Sequence, residues 1–319
     1  MKNQEVLLIG SGYMAEEYLK VLKELGAIVT IVGRGVEKIT KLKEKYPEFN
    51  FYSGGLERFL NSTDNYPKTA INTVNIEFLQ IITEVLLKAN INKILIEKPG
   101  DLTVTGLINL DKLATEKKAK LHIAYNRRFY SSVNELQEQT KLDGGILSAH
   151  FEFTEWIHTI DTALYEKETL KRWIIANSSH VIDTVFHLIG VPKSINSIVS
   201  GGNAIPWHPS SSIFIGSGIS AKDIPFTYHT NWQAPGRWAI EVLTKKHRLY
   251  LKPMETLQIQ NIGSIEINPV EIDNKLDVKF KPGLYLLVKA FLESDYSKFV
   301  TIHEQKEMIE NIYKKISGY

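Results

Sequence analysis

The stretch Val6-Leu-Leu-Ile-Gly-Ser-Gly-Tyr-Met-Ala15 joins a short apolar run to a segment with helical periodicity. Residues 5–9 predict a strand, and the apolar positions that follow at spacings of three and four predict a helix. The Gly-x-Gly-x-x-Ala pattern between them allows a tight turn, close approach of backbone N–H groups to a pyrophosphate, and close packing of helix on strand. The helix N-terminus would attract the same anion. This stretch predicts a dinucleotide-binding site, with a plain structural turn as the alternative.

The end of the second predicted strand bears on which dinucleotide is bound. Residues 28–32 are apolar and β-branched, so the first β–α–β unit ends near Gly33-Arg34. A protein that binds NAD usually has Asp or Glu here, bonded to the adenosine ribose hydroxyls. Glycine leaves room for a 2′-phosphate instead, and arginine can bind one through paired charge-assisted hydrogen bonds. The pair favours NADP(H) over NAD(H), unless Arg34 is only a solvated residue before the next helix.

The composition is that of an ordinary globular protein and narrows the classes of function. The 319 residues are enough for two domains, and 43% of them are hydrophobic against 23% charged. A formal net charge of +2 gives no reason to expect a nucleic acid or an anionic membrane as partner. The absence of cysteine excludes disulfides, thiolate metal sites and cysteine nucleophiles. Without an export signal or an apolar run of about 18 residues, we expect a cytoplasmic protein.

Helix and strand patterns alternate through the first 125 residues. After the first unit they predict two helices and three strands, at 36–45, 76–89, 49–52, 69–74 and 93–96. Such alternation predicts a parallel, doubly wound sheet that binds ligands at the carboxyl ends of its strands. Two strand ends are therefore candidates for contact with a ligand. One contains Thr73 and Val74, which we expect near the cofactor, and the other is Glu97-Lys98-Pro99.

Lys98 is a candidate for proton transfer. A lysine held at a strand end beside a nicotinamide could donate or accept the proton that accompanies hydride transfer between an alcohol and a carbonyl. Pro99 would fix the turn that aims it. On residue type alone, an exposed lysine with no chemical role is the alternative, because most lysines are solvated.

The order of these motifs resembles a known family. Gly10-x-Gly12-x-x-Ala15, followed about 80 residues later by Glu97-Lys98-Pro99, is similar to the glucose–fructose oxidoreductase, inositol dehydrogenase and rhizopine-catabolism (Gfo/Idh/MocA) family. Further segments resemble family elements in the same order, at 125–129, 144–147, 180–190, 238–251, 283–292 and 301–316. The resemblance implies an NAD(P)-binding Rossmann domain at 1–125 and an α+β substrate-binding and dimerisation domain at 126–319. It also implies that Asn126 and Arg128 lie near cofactor and substrate.

From about residue 126 the pattern changes to short strands with few intervening helices. These strands are predicted at 147–153, 194–200, 211–219, 226–232, 239–244, 248–251 and 256–260. Such a succession predicts a mainly antiparallel, open sheet. One broad face of it would be free, and the resemblance implies that further copies of the chain pair there as a dimer or tetramer.

Three polar residues share one face of a predicted helix that begins near residue 178. His180, Asp183 and His187 fall at i, i+3 and i+7. They could be metal ligands, since imidazole and carboxylate suit a metal, or an acid–base set, or His187 could be a core histidine. Nothing else in the sequence supports a metal, and the family that the chain resembles uses none here. We assign His180 an acid–base or substrate-orienting role, and Asp183 a contact with a substrate hydroxyl or a part in fixing the helix.

The chain departs from the family pattern four residues before His180. The sugar and inositol dehydrogenases of that family usually have aspartate there, whereas this chain has Ala176, followed by Asn177. An aspartate would position the histidine and stabilise its charged form, and alanine can do neither. Asn177 can still hydrogen-bond a substrate hydroxyl.

These motifs together predict an NADP(H)-dependent oxidoreductase that acts on a sugar, polyol or nucleotide sugar, with Lys98 and His180 as catalytic residues and no metal. The predicted substrate-binding residues are Asn126, Arg128, Asn177 and Asp183. The predicted cofactor-binding residues are Gly10, Ser11, Gly12, Tyr13, Met14, Gly33, Arg34, Thr73, Val74, Glu97 and Lys98. The alternative is a non-catalytic NADP-binding sensor or scaffold protein of the same fold, as some relatives in the family are, and Ala176 favours it.

Overall fold

The computed structural model describes residues 3–318, which form two compact units. The first unit contains the chain up to Tyr125 together with Lys279–Lys306. The second contains Asn126–Val278 and the chain from Glu307 onward. The division expected from the sequence, 1–125 and 126–319, does not include this return of the chain to the first unit. Its assignment of cofactor and substrate roles to the two parts stays a prediction.

The first unit is built on a seven-stranded sheet, with strands numbered along the chain. They are β1 (Glu5–Ile9), β2 (Ile28–Gly33), β3 (Asn50–Ser53), β4 (Thr69–Asn72), β5 (Lys93–Glu97), β6 (Lys120–Ala124) and β15 (Val300–Thr301). Their order is β15-β6-β5-β4-β1-β2-β3. All neighbouring pairs are parallel except β15 with β6. The predicted parallel, doubly wound sheet is confirmed.

The helices of the first unit follow the predicted alternation. They are α1 (Tyr13–Glu24), α2 (Val36–Lys45), α3 (Leu56–Ser62), α4 (Leu79–Lys88), α5 (Val104–Lys117), α10 (Leu284–Glu293) and α11 (Ile302–Met308). The strand predicted at 69–74 ends at Asn72, whose side-chain amide donates to the Leu79 carbonyl at 2.9 Å and to the Thr83 hydroxyl at 3.0 Å. These bonds tie the strand end to the start of α4, and a 3₁₀ turn over Ile76–Phe78 precedes that helix.

The core of the first unit lies around the central strand. Val6, Leu7 and Leu8 of β1 have no exposed surface. A parallel strand with helices on both faces is buried on both sides, so an unbroken apolar run replaces the alternation of a half-exposed strand. On the first helix, Ala15, Tyr18 and other residues at spacings of three and four are buried, as their periodicity predicts.

The second unit is built on an eight-stranded sheet. Its strands are β7 (Ser148–Glu152), β8 (Pro192–Ser200), β9 (Ile213–Ser220), β10 (Pro225–Asn231), β11 (Ala239–Leu243), β12 (His247–Leu251), β13 (Gln258–Asn261) and β14 (Asn268–Pro269). The order is β14-β13-β12-β11-β7-β10-β9-β8, and only β7 and β10 pair in parallel. In β10, Phe226 and Tyr228 are buried while Thr227 between them is exposed, so one face of the sheet carries the core. The predicted mainly antiparallel sheet is confirmed.

The helix predicted near residue 178 lies on the buried face of this sheet. The helices of the unit are α6 (Ser131–Leu142), α7 (Lys167–Lys171), α8 (Ser179–Ile189), α9 (Lys275–Lys279) and α12 (Lys314–Ser317). A π turn over Ile174–Ser178 leads into α8, and every residue of α8 except His187 is buried. Phe186 anchors it through edge contacts with the rings of Phe151 and Phe226. Among residues 3–318, no helix is long and apolar enough to cross a membrane.

Candidate functional site

A cleft of about 330 Å³ lies at the carboxyl ends of β1, β2 and β4. Parallel strands end together at this edge, which is why residues distant in sequence line one space. Its walls include these predicted cofactor-binding residues: Gly10, Ser11, Gly12, Gly33, Arg34, Thr73 and Val74. Tyr13 and Met14 lie in the first turn of α1 and do not line the cleft. The structure thus gathers most of the predicted cofactor-binding residues at one place.

The turn from β1 to α1 explains why two glycines stand here. Gly10 has φ +123°, and a Cβ on it would lie 2.6 Å from Oγ1 of Thr73, whose backbone N–H and hydroxyl both donate to the Ile9 carbonyl. Gly12 is the N-cap of α1, and a Cβ there would meet no heavy atom within 4 Å. The turn therefore leaves open space directly at a helix N-terminus. This geometry fits the pyrophosphate of a dinucleotide.

Two cations border the cleft beyond β2. Arg34 and Lys38 both line it, and no aspartate or glutamate of residues 3–318 is among its lining residues. The Arg34 guanidinium carbon lies 4.6 Å from the centroid of the Phe78 ring. A cation–π contact of this kind helps to hold the guanidinium group in place. The positive charges of Arg34 and Lys38 suit an anionic group.

At the end of β5, Glu97 is joined to α1. The Tyr18 hydroxyl donates to Oε1 of Glu97 at 2.7 Å. Burial raises the pKa of the Glu97 carboxyl, while the hydrogen bond from Tyr18 and the positive charges of Lys98 and Lys281 partly oppose that rise. Lys98 follows directly and is partly exposed. Through its bond with Tyr18, Glu97 therefore anchors the strand end that carries Lys98. Beyond its helical spacing, Tyr18 carries no sequence signal for this role.

In the second unit, two predicted substrate-binding residues pair with each other. Arg128 donates from Nε to Oδ2 of Asp183 at 2.8 Å and from Nη2 to Oδ1 at 2.7 Å. The Asp183 side chain has no exposed surface, and the Arg128 side chain is 12% exposed. A two-pronged bond of this kind fixes both groups. Here it ties α8 to the 3₁₀ turn Asn126–Phe129.

Glu155 is a polar residue of this region that the sequence did not single out. It is buried, and its carboxylate accepts two bonds from the Asn177 amide, at 3.0 and 3.1 Å, and one from the Ser178 hydroxyl at 2.6 Å. These donors belong to the π turn that leads into α8, beside the buried Ala176. Nothing in the spacing of Glu155 along the chain indicates this arrangement. A carboxylate is thus present next to the position where the family pattern has aspartate.

A run of alternating guanidinium and aromatic groups lies beside His180. The Arg237 guanidinium carbon is 4.5 Å from the Trp156 ring centroid and 4.7 Å from that of Trp238. The Arg127 guanidinium carbon is 4.5 Å from the Trp238 centroid and 5.6 Å from that of Tyr130. We call these five residues the arginine–aromatic stack. The His180 ring centroid lies 5.9 Å from that of Trp238.

The remaining predicted residues of the second unit, Asn126 and His187, lie next to other polar side chains of that unit. Asn126 is buried and hydrogen-bonds the Tyr130 side chain. His187 Nε2 lies 3.4 Å from the side-chain nitrogen of Gln137. Within residues 3–318, no group of three or more histidine, aspartate or glutamate side chains is arranged to hold a metal ion.

Comparison with known proteins shows what this chain is similar to. The Shikimate / quinate 5-dehydrogenase family model matches residues 1–65. No curated protein matches the sequence. The structure of the dehydrogenase MviM from Clostridium difficile has a TM-score of 0.78 at 17% identity, covering 99% of each chain. For the aldose-aldose oxidoreductase from Caulobacter crescentus the TM-score is 0.78 at 17% identity, covering 99% of this chain and 98% of that one.

A further solved structure is the super-repressor mutant of Gal80p from Saccharomyces cerevisiae. Its TM-score is 0.79 at 12% identity, covering 98% of this chain and 95% of its own. Identities this low show the fold alone. As a likeness of fold, the resemblance expected from the sequence motifs is confirmed.

Proposed function

We propose that the chain is an NADP(H)-dependent oxidoreductase that moves a hydride between nicotinamide C4 and a carbinol carbon of a sugar, polyol or nucleotide sugar. One observation carries this proposal. The glycine-built cleft at the ends of β1, β2 and β4 and the Glu97-Lys98 strand end of β5 share one sheet edge, since β5 is the neighbour of β4. This arrangement supports the proposal, because a cleft suited to a dinucleotide and a lysine suited to proton transfer follow strands that end at the same edge.

The names of the structural neighbours support the same class. One is a dehydrogenase, and another is an aldose-aldose oxidoreductase whose structure contains glycerol. The first 65 residues also match a dehydrogenase family model.

The cofactor, when bound, accepts or supplies the hydride, and the residues of the chain manage position and protons. In the oxidation direction the substrate loses a hydride from its carbinol carbon, and we assign the hydroxyl proton to Nζ of Lys98. Glu97 holds the strand end that carries this lysine. His180 is assigned the acid–base or orienting role, and the Arg128–Asp183 pair fixes α8 beneath it. Arg34 and Lys38 are assigned to the 2′-phosphate.

Replacing Lys98 by Met tests the catalytic assignment. The methionine keeps the length of the side chain but removes the proton-carrying group, so turnover of any substrate found in a panel of sugars, polyols and nucleotide sugars is lost. NADPH affinity, measured by fluorescence titration, stays within a few-fold of wild type. Lys88→Met on α4 is the matched control and keeps full activity. Unchanged turnover in Lys98→Met would remove Lys98 from the mechanism.

Replacing Arg34 by Ala tests the cofactor assignment. We expect wild type to bind NADPH more tightly than NADH, because a guanidinium bonds a phosphate and gains little from a ribose hydroxyl. The preference disappears in Arg34→Ala and persists in Arg58→Ala, which removes a cation that does not line the cleft. Equal affinity of wild type for both cofactors would overturn the NADP assignment.

A non-catalytic sensor or scaffold is the second candidate function. Ala176 stands where the family pattern has aspartate, and one structure of this fold is a repressor mutant. Capture of a stoichiometric protein partner, together with no turnover of the whole panel, would favour this candidate.

We also propose a cytoplasmic homo-oligomer that assembles through the outer face of the second sheet. This face runs across β8, β9 and β10, opposite the buried side chains of β10.

A further inference from the structure

Resting on the proposed function, we propose that the substrate is an anionic sugar derivative whose carboxylate or phosphate is bound by Arg127, Arg237 and Trp238 of the arginine–aromatic stack. The stack belongs wholly to the second unit. It adjoins the ring of His180, the residue assigned to act on the substrate.

The unsatisfied polar atoms of the stack are all donors. Trp238 is 6% exposed, and its indole Nε1 is buried with no hydrogen-bond partner among residues 3–318. Nε of Arg127 is buried without a partner as well. Indole and guanidinium N–H groups donate and cannot accept. Because buried donors are nearly always satisfied in proteins, the group that completes this site is an acceptor.

The charges of the stack make that acceptor an anion. Neither Arg127 nor Arg237 forms an ion pair with an acid among the described residues, in contrast to Arg128, which is neutralised by Asp183. Burial lowers the pKa of Arg127, which marks its charge as costly to hold without a partner.

The nearby acids do not replace such an anion. Glu155 and Glu255 contribute favourable charge to Arg127. The Glu155 carboxylate, however, is bonded to Asn177 and Ser178, and Glu255 is exposed.

Arg127 and Arg237 are both partly exposed, so a ligand can reach their side chains. The guanidinium carbons of Arg127 and Arg237 both lie over the Trp238 ring, at 4.5 Å and 4.7 Å from its centroid. The N–H groups of arginine lie in the guanidinium plane and point outward from such a stack, where they bind planar carboxylates or phosphate oxygens by two bonds at once. A neutral polyol has no charge to offset two such cations. An anionic group on the substrate would hold it beside His180.

The test uses the tryptophan emission of the full-length protein. Wild type is titrated with glucuronate, glucose 6-phosphate, a UDP-sugar and neutral myo-inositol, and turnover of each is measured with NADP⁺. We expect at least one anionic compound to bind and neutral myo-inositol to bind far more weakly. The compound bound tightest identifies the anion as carboxylate, monophosphate or diphosphate.

Variants of Arg237 locate the anion. Arg237→Gln weakens anion binding about 10- to 100-fold, since bonds to charged groups are the strong ones. Arg237→Lys keeps the positive charge but cannot form two parallel hydrogen bonds, so it recovers only part of the affinity for the anion. Arg248→Gln is the control, because Arg248 also stacks on an aromatic ring, that of Tyr250, but is paired with Glu241. Thermal unfolding verifies that each variant is folded.

The outcomes separate this inference from the proposed function. Turnover of neutral polyols with no effect of Arg237→Gln would overturn the inference and leave the oxidoreductase assignment intact. Arg237-dependent anion binding without turnover of any compound would support the anion site and count against the oxidoreductase assignment. An equal effect of Arg237→Gln and Arg248→Gln would also overturn the inference.

Discussion

Glu155 supplies the negative charge beside the start of α8. Position 176, where a carboxylate would come from the same helix, holds a buried alanine. Glu155 arrives instead from the segment after β7 and accepts bonds from Asn177 and Ser178. A carboxylate only accepts hydrogen bonds, and both of these partners donate, so the match is complete.

Replacing Glu155 by Gln should lower the free energy of unfolding by about 1–3 kcal/mol, because the new amide nitrogen faces a donor and leaves a buried polar group unsatisfied. Urea unfolding followed by circular dichroism measures this change. Glu168→Gln, on an exposed acid of α7, serves as control with little change expected. A Glu155→Gln protein as stable as the control would show that this carboxylate does not support α8.

The sequence did not allow us to predict which side chains bond to each other across long stretches of the chain. Arg128 and Asp183 were both selected as site residues, yet their mutual bond joins positions 55 residues apart. The bond between Asn177 and Glu155 spans 22 residues, with no periodicity connecting the two positions. Residue type indicates chemistry, whereas partner choice depends on how the chain folds back.

The turn between β1 and α1 was predictable because its determinants are local. Gly10 and Gly12 stand two residues apart but serve different needs. Gly10 adopts a positive φ against Thr73, whereas Gly12 has φ −92° and faces open space. The fold requires a glycine at the first position, and we propose that a bound pyrophosphate requires one at the second.

Replacing each glycine by alanine should distinguish the backbone requirement at Gly10 from the need for open space at Gly12. Gly10→Ala places a Cβ against Thr73 in a left-handed conformation and should cost about 1–3 kcal/mol of stability. Gly12→Ala should lower stability by only about 1 kcal/mol or less, because alanine is a poorer N-cap than glycine, yet reduce NADPH affinity at least tenfold because the methyl group fills the space for the pyrophosphate. Thermal unfolding and fluorescence titration measure the two effects. Full cofactor affinity in Gly12→Ala would argue against a pyrophosphate at this turn.

Strand β6 contains a histidine that is held neutral. The His122 ring stacks on Tyr296 at a centroid distance of 4.1 Å, and both ring nitrogens are buried without a hydrogen-bond partner. Burial lowers the pKa of His122 to about 4, Lys120 and Lys93 act in the same direction, and Glu304 opposes them. The strand therefore tolerates the neutral imidazole and disfavours the charged one.

This histidine should make stability depend on pH. In the unfolded chain its pKa is about 6.5, so below that value the unfolded state binds more protons than the folded state. The stability due to neutral His122 is present above pH 6.5 and is lost as pH falls towards 4, by up to about 3 kcal/mol. His122→Phe should show a smaller loss than wild type in urea unfolding between pH 7 and 4.5. His303→Gln, at an exposed histidine, should follow wild type, and a wild-type-like slope in His122→Phe would contradict this assignment.

The outer face of the second sheet combines polar residues with a few isoleucines. Ile198 and Ile215 are direct neighbours across β8 and β9 and are 67% and 41% exposed. His229 on β10 lies next to Ile215 in the same row. Exposed apolar side chains in adjacent strands are typical of surfaces that another molecule covers.

If copies of the chain pair through this face, Ile215→Lys should shift the protein towards monomer. A lysine at the centre of an interface is unfavourable because its charge loses water. Light scattering coupled to gel filtration measures the mass. Ile81→Lys, at a 55% exposed position of the first unit, should leave the mass unchanged. A monomeric wild type would rule out the proposed assembly.

The fold as a whole was largely predictable, because the strands of both sheets have recognisable patterns of apolar residues. Unbroken apolar runs such as residues 6–9 identify buried parallel strands, and alternation such as that of Phe226, Thr227 and Tyr228 identifies a half-exposed sheet. The return of residues 279–306 to the first unit was not predictable. The two-residue strand Val300–Thr301 is too short to show a period, and its pairing with β6 depends on tertiary structure.

That pairing has a consequence for how the protein is made. The outer edge of β6 is completed by β15, and 177 positions along the chain separate Ala124 from Thr301. At about 5–20 residues per second, a ribosome needs about 9–35 s to cover that distance. Throughout this interval the nascent first unit presents an open strand edge to chaperones and to neighbouring nascent chains. The rate of translation therefore sets how long the unit that carries the glycine turn waits for its last strand.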